Sequence, residues 1–199
     1  MSNISGLSKE ESGFWNKWNN MKKPIFEPFV KICQILKIQP NWISYTAIVL
    51  SIVFYFLISK DILWATVILF AGLLLDGLDG PVARATGKAG PRGAITDVTA
   101  DMLAITFTAM AWAKIGLVEY NLTVIYVLFY ALILFSTFVR NAMDKPHGYM
   151  IIRPRLTTYI LFLFFVIWNV NLLPVAFWMS VVYLGIVLVM NFVVIRREL

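Results

Sequence analysis

The chain has 199 residues, 60% of them hydrophobic and 14% charged, against about 45–50% apolar and about 25% charged in soluble domains. With 15% aromatic residues and a mean hydropathy of +0.77, these values exclude an ordinary soluble domain and an intrinsically disordered chain. The single cysteine, Cys33, excludes an intramolecular disulfide framework, and the net charge of +6 points to an anionic lipid surface more than to nucleic acid.

In chain order, Phe14, Trp18, Met21, Ile25, Phe29, Ile32 and Leu36 recur at spacings of three and four, with Lys17, Lys22, Lys23, Lys31 and Lys37 among them. That pattern predicts an amphipathic helix lying flat on a membrane surface. Pro24 is expected to start its second piece, and a soluble cap on the loops is the alternative. Six stretches then approach the roughly 20 apolar residues that cross a bilayer: Trp42 to Ser59, Ile62 to Ala85, Ala94 to Ile115, Leu122 to Val139, Ile151 to Val170 and Leu173 to Ile195. Runs this long and continuously apolar are helices and not the alternating strands of a barrel. The expected fold is an all-α integral membrane protein, six transmembrane helices plus an N-terminal amphipathic interfacial helix. Residues 1–40 form a juxtamembrane segment and 41–199 a single six-helix domain.

The first 40 residues carry no short apolar run with a small-residue cleavage site, so the first span is expected to act as its own insertion signal. Of the 17 lysines and arginines, all but Lys60 and Lys114 fall on one side of this topology. The positive-inside rule therefore predicts both termini, and the Thr86–Arg92 loop, on the cytoplasmic side of the cell membrane.

Asp76, Asp79, Asp97 and Asp101 are four of only 11 acidic residues, and all sit in or beside apolar helix. A carboxylate at the centre of a span costs about 2.5–3.5 kcal/mol on the insertion scale, so something must compensate four of them. Asp76 and Asp79 are three apart and Asp97 and Asp101 four apart, which puts each pair on one helix face. If the two helices pack as an antiparallel hairpin, the four carboxylates converge. Hard oxygen donors without histidine or cysteine suit Mg²⁺ or Mn²⁺, and two such ions are the arrangement that assists phosphoryl-type transfer. Gly80 and Gly93 leave room for a bulky ligand, Arg84 offers a donor fork matched to phosphate, and Pro81 predicts a kink beside the acids. Two other readings remain open on spacing alone: buried ion pairs with Arg84 and Arg92, or an intramembrane cation or proton pathway.

Asp76-x-x-Asp79-Gly80-x-x-Ala83-Arg84, eight residues, Gly93, three residues, Asp97, three residues, Asp101 resembles the signature of the CDP-alcohol phosphatidyltransferase family. With eight specified positions at roughly one in twenty each, a chance match has a probability below about 10⁻⁷. The six spans and the preceding amphipathic helix also resemble the family's layout. The resemblance implies an enzyme of phospholipid biosynthesis that transfers a phosphatidyl or archaetidyl group from a CDP-linked lipid to an alcohol and releases CMP. It implies two Mg²⁺ ions held by Asp76, Asp79, Asp97 and Asp101, with Asp101 also the general base. Gly80, Ala83, Arg84 and Gly93 would face the nucleotide, and a homodimer is expected by family analogy.

For the acceptor, Arg140, Arg153 and Arg155 are expected over the acidic cleft, with Lys145 and His147 between them and His147 an ordinary loop residue. In related enzymes, basic residues here bind the phosphate of a phosphorylated polyol, favouring inositol phosphate or glycerol 3-phosphate; positive-inside anchoring accounts for the same arginines without a ligand. The glycerol-phosphate branch commonly reads Asp-Pro-x-Ala-Asp-Lys where this chain has Asp97-Val98-Thr99-Ala100-Asp101-Met102. The inositol-phosphate branch often has arginine where Met102 stands. The alternatives are serine or another unphosphorylated acceptor, or a membrane cation or proton transporter. A transporter would favour polar residues on several spans, and the first and sixth offer almost none.

Overall fold

The structure is a computed structural model and describes residues 26–143 and 154–198. The described residues are helical with no strand: α1 (residues 26–35), α2 (Pro40–Leu57), α3 (Ile62–Ala85), α4 (Pro91–Lys114), α5 (Tyr120–Ala142), α6 (Arg155–Trp168) and α7 (Leu173–Glu198). Most of the expected N-terminal amphipathic segment, Phe14 to Ile25 included, lies outside the described residues. So do Lys145, His147 and Arg153.

Local chemistry sets the helix ends. Asp61 caps α3 by accepting from Leu63 N and Trp64 N, both at 3.0 Å, and prolines occupy the first positions of α2 and α4, where the missing N–H costs nothing. After α3, Gly87 at φ +67° lets Lys88 N donate to Ala83 O at 2.9 Å. Gly116 at φ +75° closes α4 the same way, through Leu117 N and Trp112 O at 2.9 Å. Both are Schellman closures, which need a left-handed residue that glycine adopts without strain. Asn169, at φ 56°, ends α6 before the expected Val170. Pro81 sits inside α3, which continues unbroken to Ala85.

Among the described residues, four helices are long and apolar enough to cross a bilayer: α2, α3, α5 and α7. Asp97, Asp101 and four threonines make α4 more polar than these. The described part of α6 has 14 residues, about 21 Å at 1.5 Å per residue, short of about 30 Å of hydrocarbon. Threonine and serine hydroxyls bond carbonyls of their own helices, as Ser51 does to Ala47 O at 2.9 Å and Thr66 to Ile62 O at 2.7 Å, which satisfies them where water is absent. Large apolar side chains such as Val53, Phe56, Val67, Leu128, Phe135 and Ile186 point outward, an exposure that water would not tolerate over so wide a surface.

The packing corrects one expectation. α3 and α4 do not lie against each other as a hairpin; α2 packs along both, α4 also meets α5, α5 pairs with α7, and α6 bridges α7 and α3. Close approach uses small residues: a Cβ on Gly72 would sit 3.6 Å from Leu50 Cβ, and one on Gly185 would sit 3.1 Å from the Phe129 ring. The central core is aromatic. Trp112 is fully buried, with its ring 5.5 Å from Phe162, 5.9 Å from Tyr159 and 6.0 Å from Phe177. A second cluster joins Cys33, Val30 and Phe26 of α1 to Leu78 and Val82 of α3, leaving Phe29 and Ile32 exposed on α1 and Leu36 exposed just after it.

Lys114 donates to Tyr55 O at 3.3 Å and lies 4.7 Å from the Tyr55 ring centroid, so it marks the same end of the molecule as the cap Asp61. Along α3, Asp79 is about 27 Å from Asp61 at 1.5 Å per residue. The acids therefore lie near the opposite boundary of the apolar layer.

Candidate active site

Three helices contribute to the acidic end. α3 carries Asp76 and Asp79 on one face, about two turns and one and a half turns before Arg84, and α4 carries Asp97 and Asp101 within its first three turns. α6 begins with Arg155, which is only 8% exposed. A buried guanidinium needs anionic partners to offset its lost hydration, and Arg155 has them: its Nη1 donates to Asp76 Oδ2 at 3.2 Å and also to Asp101 Oδ1. One cation thus joins carboxylates from two helices that do not otherwise pack together.

The other edge of that guanidinium is equally constrained. Arg155 Nε donates to the Tyr159 hydroxyl at 3.3 Å, and Tyr159 lies 3.2 Å from Thr108 Oγ1. Thr108 spends its own proton on Ala104 O at 2.7 Å, so the Tyr159 hydroxyl is the donor to Thr108 and keeps its oxygen for Arg155. Every proton in this relay has one destination, which orients the fork toward the acids.

Asp79 has a different partner. Ser44 on α2 donates to Asp79 Oδ2 at 2.7 Å, and both residues are buried. Asp97 is exposed. Among the described residues no three acid, histidine or cysteine side chains converge as a metal-ligating group, so the expected four-way convergence is not what the structure has. Asp76 and Asp101 share the Arg155 guanidinium and Asp79 takes the Ser44 hydroxyl, so these charges are met at different points. The donor set nevertheless fits a hard divalent ion, since it is oxygen only and a positive charge already sits between Asp76 and Asp101.

The remaining expected residues divide. Arg84 is exposed and its guanidinium lies over Gly80, with Nη1 3.4 Å from where a Cβ would stand; Ala83 is half-buried, and no atom lies within 4 Å of a Cβ placed on Gly93. Arg140 is buried at the end of α5 and donates to Asn191 Oδ1 of α7 at 3.1 Å, while Asn191 donates to Ser136 Oγ at 2.8 Å. The acids pair with Arg155, which sequence reasoning assigned to the acceptor. Neither the Arg155 bridge nor Ser44 was foreseen; the signal for Ser44 was a hydroxyl one turn inside a helix that begins at Pro40.

Residues 37–191 match the family model described as CDP-alcohol phosphatidyltransferase. The chain belongs to that family. It is a multi-pass membrane protein, with four helices among the described residues fit to span a bilayer. It is 34% identical over 105 residues to archaetidylinositol phosphate synthase of Pyrococcus horikoshii, a match covering 52% of this chain and 55% of that relative; the chain thus spans about half the length of the curated relative it matches. Its fold is similar to the crystal structure of Mycobacterium tuberculosis phosphatidylinositol phosphate synthase in apo form. The TM-score is 0.63 at 19% identity, over 83% of this chain and 93% of that one.

Proposed function

We propose that this protein transfers a substituted phosphate from a CDP-linked lipid, carrying diacylglycerol or its archaeal ether counterpart, to a phosphorylated polyol and releases CMP. The observation that carries the reading is that Asp76 and Asp101, from two separate helices of the family signature, meet at a single cationic point beside Asp79. In the reaction the acceptor oxygen bonds to the lipid-bearing phosphorus, the bond to the CMP oxygen breaks, and the acceptor proton passes to Asp101. An alcohol is a poor nucleophile until a carboxylate within hydrogen-bond reach takes its proton. Asp76, Asp79, Asp97 and Asp101 are the residues to hold two Mg²⁺ ions, for which Mn²⁺ can substitute. When bound, such ions neutralise the pyrophosphate and polarise the phosphorus.

Gly80, Ala83, Arg84 and Gly93 serve the nucleotide: the open backbone at Gly93 and the exposed Arg84 fork suit a pyrophosphate. Arg140, Arg153 and Arg155 serve the acceptor phosphate. Inositol phosphate leads, because both named relatives are inositol phosphate lipid synthases and the Asp97–Met102 stretch lacks the proline and lysine of the glycerol-phosphate branch. Glycerol 3-phosphate is second. The reading includes six spans, with α4 and α6 completing the set inside a bundle, and residues 1–40 as an interfacial segment ahead of a 41–199 domain. It also includes a homodimer in the cell membrane, with both termini and the acids cytoplasmic.

The test is CMP release by the purified protein given a CDP-linked lipid, Mg²⁺ and, in turn, inositol phosphate, glycerol 3-phosphate and serine. Inositol phosphate is expected to be turned over fastest. The reading fails if no acceptor yields CMP above an Asp101→Asn control.

A further inference from the structure

Arg155 occupies the one point that both Asp76 and Asp101 reach, and that point lies among the acids to which the metal ions are assigned above. It is not a flexible surface group. Its Nε is tied to Tyr159, whose hydroxyl is in turn tied to Thr108, and the Tyr159 ring lies 5.5 Å from the guanidinium carbon. Among the described residues, Asp76 and Asp101 are two largely buried carboxylates on separate helices, and Arg155 is the cation that ion-pairs with both. A guanidinium and a divalent ion cannot share the space between the same two oxygens.

We propose that Arg155 is the built-in counter-cation of the metal-free acid cluster and that divalent-ion binding has to eject it. The fold is then stable before metal loading, because a tethered charge substitutes for the ion. Metal affinity is lowered by the same contact, in proportion to the fraction of molecules whose acids are free of Arg155. Ejection turns the guanidinium out of the acid pair while its helix stays in place, and this is the state in which its fork is available to the acceptor phosphate. The last step rests on the function proposed above and implies an order in which metal precedes acceptor. Tyr159 and Thr108 act as positioning residues through the Nε contact.

The experiment uses the full chain in detergent, stripped with EDTA, and reads Mn²⁺ affinity by electron paramagnetic resonance of the free ion together with thermal unfolding with and without saturating Mn²⁺. Arg155→Gln is expected to bind Mn²⁺ about tenfold more tightly, as when a competent fraction of about one tenth becomes complete. Its midpoint should also rise more on metal addition than that of the unsubstituted protein. Tyr159→Phe, which keeps the guanidinium and releases its tether, should shift affinity in the same direction by about twofold to threefold, and it remains informative if Arg155→Gln does not fold. Lys88→Gln removes a positive charge from an exposed position just after α3 and should leave affinity within about twofold.

Unchanged or weaker Mn²⁺ binding in both Arg155→Gln and Tyr159→Phe would overturn the proposal, as would an equal gain in Lys88→Gln, which would mean bulk charge and not occupancy. These readouts need no turnover. CMP release without an Arg155 effect on Mn²⁺ sinks this inference alone. An Arg155 effect without CMP release from any acceptor sinks the proposed reaction alone.

Discussion

At the Lys114 end of α4, Trp112 is enclosed by Tyr159, Phe162 and Phe177; three turns earlier the same helix presents Asp101 to a guanidinium from α6. The first region is held by shape. Aromatic rings fill the space between α4, α6 and α7, and their attraction persists in lipid, where the hydrophobic effect contributes little between helices. The second region is held by charge that a different cation can replace. α6 belongs to both, since Tyr159 packs its ring on Trp112 and its hydroxyl oxygen accepts from Arg155 Nε. A rigid aromatic end thus anchors the helix whose other end must exchange partners.

Substitutions should separate these regions. The largest effect is expected for Asp101→Asn, which removes the proton acceptor from the acid end: CMP release falls about a thousandfold, within the usual range for a general base, while circular dichroism reports an intact helical fold. Trp112→Ala opens a cavity at the aromatic end and should cost about 3 kcal/mol, read as a lowered unfolding midpoint in detergent. Its Mn²⁺ affinity should stay unchanged where the fold survives. Ser44→Ala leaves Asp79 without its hydroxyl donor. CMP release should drop about tenfold, equivalent to about 1.4 kcal/mol, with a stability change too small to account for it. The smallest effect on stability is expected for Asn191→Ala, which removes the two bonds that Arg140 and Ser136 of α5 make with α7; about 0.6 kcal/mol is typical of each such contact in membranes, measurable as a small midpoint shift. If Trp112→Ala altered Mn²⁺ affinity as strongly as Arg155→Gln, the two regions would be one coupled unit and the distinction drawn here would fail.

Much of the scaffold was readable because its signals are local. The bounds of α3, Ile62 to Ala85, follow from an Asp cap and a glycine closure, and the apolar runs of α2, α5 and α7 are long enough to leave no other reading. The α3–α4 hairpin was misjudged because the seven-residue turn from Thr86 to Arg92 constrains only the ends it joins, and α2 comes between the two helices from earlier in the chain. The acids were found by their cost in an apolar helix. Their counter-charge was not: Arg155 is 79 residues from Asp76 and 54 from Asp101, and no periodicity spans such separations. Its position at the start of a short apolar helix read equally well as a topological anchor.

The length of α3 between its capped start and Asp79, close to the thickness of a bilayer's hydrocarbon layer, bears on how a lipid donor arrives. A molecule whose tails stay in the leaflet presents its headgroup to the acids by sliding sideways and need never enter bulk water. Supply is then an encounter in two dimensions. Turnover should follow the mole fraction of donor in the surrounding membrane or micelle, and adding inert detergent at constant donor and protein amounts should slow it by surface dilution.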